Sequence, residues 1–303
     1  KKGLALKDGM PLYKYSGNKI LTFLQNKILN SNLSEFHSGY RAYSVKALKK
    51  IPLQRNTNDF HFDTQIIIQL LCNNNRIMEI PIPTYYGNEI RHFHGLKYAK
   101  NVLVTSLLSK LHSLYILYQR EYDINKNKNY YLPKLGYTSS HTMALDTIKK
   151  NSKVLDLGCG NGFLEKELKK MRCYTTGVDQ IKELNNEYFN DFIQLDLNNA
   201  EKLPKLNQFD YILMLDIIEH LDDPELLLDK IREKIKLKSP IVIITTPNIA
   251  FLFTRLQLLF SNFNYGKQGI LDLTHKRLFT FKSLIKLCEA SGYKIKKISG
   301  IPA

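Results

Sequence analysis

The run Asp156-Leu157-Gly158-Cys159-Gly160-Asn161-Gly162 has the residue types and spacing of a ligand cradle. An apolar stretch precedes it and a charged amphipathic stretch follows, so it reads as a strand-to-helix turn. Glycines in such a turn let the backbone pass closely around a ligand and aim the first amides of the helix at it. A dinucleotide fingerprint would need glycine at 163, where Phe163 stands. Asp156, two residues before the first glycine, would repel a pyrophosphate and suits a ligand with a cationic amino group. Two more acids close strand-like runs, Asp179 after TTGV and Asp196 after FIQL. In a doubly wound sheet, ligands sit beyond the carboxyl ends of the strands. There Asp179 can take both hydroxyls of a ribose, and Asp196 can accept from an adenine amino group. The alternative is a glycine-rich turn of some other Rossmann-like protein.

The elements that must position these residues alternate. Strand-like runs are expected at 154–159, 174–178, 192–195, 211–215, 241–245 and 293–298, and amphipathic helices at 163–170, 225–236 and 281–290. Strands alternating with helices predict βαβ units and an α/β, doubly wound parallel sheet.

On these residues the segment 137–303 resembles a class I S-adenosylmethionine-dependent methyltransferase of the ubiquinone-biosynthesis-like kind. The resemblance rests on VLDLGCGNG, GVD, LDL, FDYILMLDIIEHLDDP (209–224), TTPN (245–248) and HKRLFT (275–280). It implies a Rossmann-like sheet of seven strands, of which this chain would reach the sixth. It also implies that Asp156, Gly158, Cys159, Gly160 and Gly162 cradle the methionine part of S-adenosylmethionine. Asp179 would hold the ribose, Asp196 would face the adenine, and Asp216 would end a strand beside the sulfonium. His220 and His275 lie in stretches that the family folds around the acceptor mouth. Each is either a base for a hydroxyl acceptor or a histidine satisfied by backbone. Methyl transfer itself is expected to need no metal.

The 303 residues suffice for two domains, and 44% hydrophobic with 24% charged content excludes disorder and collagen-like or coiled-coil architectures. Of 44 Lys and Arg and 28 Asp and Glu, residues 1–150 hold 22 and nine, a balance of +13, which leaves +3 for the rest. A one-sided excess predicts a polyanionic neighbour: nucleic acid, an anionic membrane face or phosphorylated molecules. Cys72, Cys159, Cys173 and Cys288 form no metal-ligating or disulfide pattern, so a reducing, cytoplasmic setting is expected. The chain opens on Lys1 in what reads as mid-domain, and it is expected to be a fragment cut at both ends.

Residues 91–120 contain no acid and intersperse Arg91, Lys97, Lys100, Lys110 and Arg120 among aliphatic side chains. This basic amphipathic helix would lie on an anionic membrane surface or, alternatively, face a core with its basic side in water. Asn125–Tyr130 is the expected linker. Three parts follow: 1–100, 101–136 (basic helix and linker) and 137–303.

Within the first part, NLSEFHSGYRAYSVKAL (32–48), DFHFDTQIIIQLL (59–71), IMEIPIPTYY (77–86) and GLKYAKNV (95–102) resemble the C-terminal half of a GT-A-type, family-two glycosyltransferase of the dolichyl-phosphate-mannose-synthase-like kind. The resemblance implies that Ser38, Gly39, Arg41 and Asp63 lie at an acceptor and phosphate site. Arg41 would pair with phosphate, or else it ties down a turn. The nucleotide-sugar half, with its divalent metal, would lie upstream, so this chain by itself is expected to transfer no sugar. Together the resemblances imply a bifunctional transferase acting on a glycan or polyprenyl-phosphate-linked acceptor, peripheral at the cytoplasmic membrane face, whose parent uses a nucleotide sugar. A methyltransferase of nucleic acid or of a small molecule, with the first part serving only as a docking module or scaffold, is the competing class. Against nucleic acid, the basic residues alternate with aliphatic rows rather than aromatic platforms.

Overall fold

The computed structural model describes residues 10–82, 94–124, 134–181, 186–235 and 239–301. The chain divides into two compact units, Lys1–Lys128 and Asn129–Ala303. The expected linker and the end of the IMEIPIPTYY run fall outside the described residues.

The second unit is built on a five-stranded, wholly parallel sheet in the order β3-β2-β1-β4-β5. The strands are β1 (Lys153–Leu157), β2 (Tyr174–Asp179), β3 (Asp191–Gln194), β4 (Tyr211–Leu215) and β5 (Ile241–Thr245). Strands covered on both faces read as unbroken apolar runs, and β4 (YILML) is buried at every residue. Alternate side chains serve opposite layers. Leu155, Leu157, Ile212 and Met214 meet Leu227, Leu228 and Ile231 on one face. Val154, Tyr211, Leu213 and Leu215 meet Ala144, Leu164 and Leu168 on the other. The order reverses between β1 and β4, which places the crevice of a doubly wound sheet above these two strand ends.

Helices α4 (Ser140–Thr147), α5 (Phe163–Lys170), α6 (Pro224–Lys234), α7 (Leu252–Leu259) and α8 (Phe281–Ala290) cover the sheet or extend from its connections. Their starts are written in the sequence. Asp223 accepts the Leu226 amide at 2.9 Å ahead of Pro224, and Thr280 with Ser283 forms a capping box. Helices α4 and α7 lack a long amphipathic pattern and were not expected. The sixth strand expected at 293–298 is absent from the sheet. A strand needs a ladder partner, and among the described residues none lies outside β5. The segment is held instead by Tyr293, whose hydroxyl donates to the Leu228 carbonyl at 2.7 Å. The seven-stranded sheet is thus five-stranded among the described residues.

The first unit contains α1 (Leu12–Leu29), a helical turn at Val45–Leu48, α2 (Phe62–Cys72) and α3 (Gly95–Ser113). Among its described residues there is no strand, so no GT-A sheet is seen. The run expected as a strand at 77–82 is extended but unladdered. Its Glu79 carboxylate instead accepts the Ser34 amide and hydroxyl, each at 2.8 Å. The expected boundary at residue 100 falls inside α3, which packs on α1 and α2. This contact buries a narrow, mostly small and polar face of the helix. The buried face of α3 is Val102, Thr105, Ser106 and Ser109, and Ser106 faces the buried Gln25 of α1.

Candidate active site

At the end of β1 the chain turns through Gly158, Gly160 and Gly162, all with positive φ (84°, 54° and 74°). The three glycines serve different purposes. A Cβ on Gly158 would lie 2.7 Å from Ile217, and one on Gly162 would lie 2.7 Å from Phe189, so these two are required by packing. Gly177 on β2 is needed for the same ring, since its Cβ would stand 2.3 Å from Phe189. Only at Gly160 would a Cβ meet nothing within 4 Å, and there the turn faces open space. Cys159 is buried between these contacts, and burial pushes its thiol well above the usual range.

Asp179 closes β2 and ties the turn down. One carboxylate oxygen accepts the Gly160 amide at 2.8 Å, the other the Ile181 amide at 3.1 Å. Each oxygen keeps a second lone pair, enough for the two hydroxyls of a ribose. Asp196 is exposed just beyond β3 and accepts the Asn198 amide at 2.9 Å. The three acids that the sequence singles out therefore stand at the ends of adjacent strands β1, β2 and β3.

Beneath them lies a residue that sequence reasoning missed. Glu165, in the first turn of α5, is fully buried against Asp156. Burial, and then the neighbouring charge, raises its pKa well above the carboxylate range, and burial pushes Asp156 up to about 6. A raised pKa means that the folded state holds its proton more tightly than the unfolded chain. The resulting stability is present below pH 4 and is lost as pH rises through about 6 and beyond. Glu165→Gln should therefore raise the melting temperature, and its advantage over the parent should widen between pH 5 and pH 8. Melting curves that stay parallel across this range would show that the pair does not hold the extra proton.

Asp216 follows β4 with φ 52° and is engaged on both oxygens. Lys134 donates at 2.5 Å and Ser140 at 3.2 Å to one, Thr245 at 2.7 Å to the other. Burial raises its pKa, but Lys134 and the two hydroxyls outweigh it, so the carboxyl stays below its ordinary value. Lys134 lies more than eighty residues away along the chain, and nothing in its local pattern signals this role.

The two histidines expected at the acceptor mouth come together, their rings 4.8 Å apart and edge-on. His220 ends the turn Ile218–His220 after β4. His275 lies on the loop before α8, in a turn shaped by Asp272, which accepts the Thr274 amide and hydroxyl at 2.8 and 2.7 Å. The amides of Lys276 and Arg277 donate to the Glu219 carbonyl at 2.8 and 3.1 Å, and Lys276 pairs with Asp222 at 2.7 Å. These contacts fasten the His275 loop to the end of β4. Glu219 itself is 1% exposed, and burial raises its pKa to about 8. Glu219 lies within the run FDYILMLDIIEHLDDP (209–224), and nothing in its local pattern signals its burial.

In the first unit, Arg41 and Asp63 are brought together at 3.6 Å. The guanidinium is committed to carbonyl oxygens: Ser38 at 2.8 Å, Asp63 at 3.1 Å and Phe36 at 2.5 Å. This is the turn-tying arrangement. Gly39 has open space at its Cβ position. Nearby His37 contacts the Tyr98 hydroxyl at 3.0 Å, and burial, with the Arg41 charge, lowers its pKa to about 4.

A family model described as a methyltransferase domain matches residues 119–298. Ubiquinone biosynthesis O-methyltransferase of Coxiella burnetii is 29% identical over 168 residues, covering 50% of this chain and 68% of that protein. The protein of the same description from Pseudomonas syringae is 26% identical over 168 residues, covering 49% and 67%. A solved SAM dependent methyltransferase from Archaeoglobus fulgidus is 23% identical, with a TM-score of 0.40, covering 50% of this chain and 66% of that one. The chain thus spans about two thirds of the length of these relatives.

Proposed function

We infer the reaction from one premise: this chain belongs to the methyltransferase domain family, and its cofactor is S-adenosylmethionine. When bound, that cofactor supplies an electrophilic methyl group on a sulfonium. The residues present fit it. The open side of Gly160 admits a close approach, Asp156 suits a cationic amino group, and Asp179 keeps lone pairs for two hydroxyls. In this reading Asp156 and the glycine turn hold the amino-acid part, Asp179 the ribose, and Asp196 the adenine. Asp216 shapes the floor between donor and acceptor.

The acceptor is a hydroxyl that docks against His220 and His275, and its proton is lost there. The observation that carries this is the pair itself, two imidazoles edge-on at 4.8 Å, fastened to the end of β4 beside the switch point. The names of the curated relatives, O-methyltransferases, support oxygen as the methylated atom. A calorimetric titration with S-adenosylmethionine tests the donor half, and methylation of a hydroxylated acceptor tests the whole.

The first unit serves to bring this chemistry to an anionic membrane surface. No helix among the described residues is long and apolar enough to cross a membrane. Helix α3, however, turns a small and polar side inward and leaves Leu96 and Leu107 91% and 50% exposed, with Leu114, just past its end, 53% exposed. Lys100 and Lys110 recur on this same stripe at helical spacing. An aliphatic stripe edged by lysines suits anionic lipid, at roughly 1 kcal/mol per basic residue. Changing Lys97, Lys100 and Lys110 together to Gln should weaken binding to phosphatidylserine vesicles about 100-fold. Binding by the parent that ignores salt, or that is equal on neutral lipid, would reject the electrostatic reading.

The motif that unites Ser38, Gly39, Arg41 and Asp63 supports a glycan or polyprenyl-phosphate-linked acceptor within this picture, with the first unit descended from a glycosyltransferase. The engaged Arg41 fork favours a supporting role for the turn over direct phosphate binding.

A further inference from the structure

We propose that Glu165 is a positioning residue for S-adenosylmethionine: its carboxyl O–H donates to Asp156 and holds that carboxylate toward the cationic amino group of the ligand. The proposal rests on the reading of Asp156 and the glycine turn given above.

The geometry carries it. Side chains alternate along β1, so Asp156 shares the face of Val154, which Leu164 and Leu168 of α5 cover. Glu165, in the first turn of α5, meets Asp156 from that side, beneath the glycine turn. It is 0% exposed, and among the described residues no side-chain donor reaches either of its oxygens. The other titratable groups that act on this cluster are Asp179 from β2 and the Cys159 thiol of the turn. No Lys, Arg or His among the described residues acts on either carboxyl. Beneath the open side of Gly160 the protein has thus enclosed two facing acids and no cation.

Two ionised carboxylates offer only acceptors, and in a dry site they repel. One of the pair therefore keeps a proton, which makes the hydrogen bond between them. The deeper group keeps it, since Asp156 retains 5% exposure and Glu165 none. Burial raises both: Glu165 goes well above the carboxylate range, while at Asp156 the bond from Glu165 opposes the rise, which stops at about 6. Near pH 7 a neutral acid then donates to an ionised one, as buried acids do where a site needs a fixed donor. Asp156 keeps its remaining lone pairs for the ammonium that enters beside Gly160. In the run FLEKELKK (163–170) Glu165 looks like any other charged helix residue, so local pattern does not reveal it.

Calorimetric titration of the full chain with S-adenosylmethionine between pH 5 and pH 7 tests the proposal. An α-amino group, with a pKa of about 7.7–8.0, stays cationic throughout this window. Affinity of the parent should be level near pH 7 and fall as pH drops through about 6, where Asp156 takes up a proton. Glu165→Gln can still donate, and it should bind as the parent does at pH 7. Glu165→Leu should lose about tenfold or more, the effect of one hydrogen bond to a charged group, and its midpoint should move to higher pH. Infrared difference spectra of the parent against Glu165→Gln at pH 7 should show the carbonyl stretch of a protonated carboxylic acid, a reading that does not depend on the Leu variant folding. Parent-like affinity and midpoint in Glu165→Leu, equal loss in Glu165→Gln, or absence of that band would each overturn the role of Glu165. Failure of the unaltered chain to bind S-adenosylmethionine would instead overturn the reading of the cradle, and this proposal with it.

Discussion

Gly160→Val should abolish S-adenosylmethionine binding, with an affinity loss of at least about 100-fold and only a modest loss of fold stability. The reason lies in what surrounds this glycine. Its φ is 54°, so any side chain incurs left-handed strain of roughly 1–2 kcal/mol, more for a β-branched residue. At about 2–4 °C per kcal/mol for a unit of this size, the melting temperature should drop by several degrees but unfolding should stay cooperative. The added side chain meets no protein atom within 4 Å of its Cβ and projects into the space the donor would occupy. Gly162→Ala provides the contrast: its Cβ would stand 2.7 Å from Phe189, so the damage there should fall on the fold. If Gly160→Val bound the donor normally, the open side of the turn would not be the donor's place.

Asp179→Ala should weaken S-adenosylmethionine by about 1.5–3 kcal/mol, roughly 10–150-fold, the range for hydrogen bonds to a charged acceptor. Two losses combine. The ribose hydroxyls lose their acceptor, and the amides of Gly160 and Ile181 lose the carboxylate that now holds them at 2.8 and 3.1 Å. Asp179→Asn separates the two, since the amide oxygen can still accept one of these amides but the charge and one acceptor are gone. It should fall between Ala and the parent in calorimetry. Unchanged affinity in Asp179→Ala would remove the ribose assignment.

Much of the second unit was legible along the chain because its signals are local. An apolar run such as YILML (211–215), short and set between helical patterns, reads as a strand buried on both faces, and the helix at 163–170 lies where its amphipathic pattern put it. The glycine turn and the acids Asp156, Asp179 and Asp196 were readable for the same reason: each is a residue type at a fixed offset from a strand end. The strand expected at 293–298 failed because a strand is a property of two segments, and its ladder partner is not written in its own residues. The first unit misled in a related way. Leucines at helical spacing suggest an inward face, yet α3 buries Val102, Thr105, Ser106 and Ser109 against its neighbours. Small side chains allow close helix approach, and that choice depends on the partner helix.

By itself, then, the sequence determined the class of fold, the glycine turn and the order of the acids at the strand ends, since all of these follow from periodicity and turn chemistry within a few residues. Only the tertiary structure decided which glycine faces open space, that Lys134 reaches Asp216, that Glu165 lies buried against Asp156, and that Glu219, His220 and His275 converge. Those facts depend on side chains far apart in the chain being enclosed together, where burial removes water and makes each charge answerable to its new neighbours.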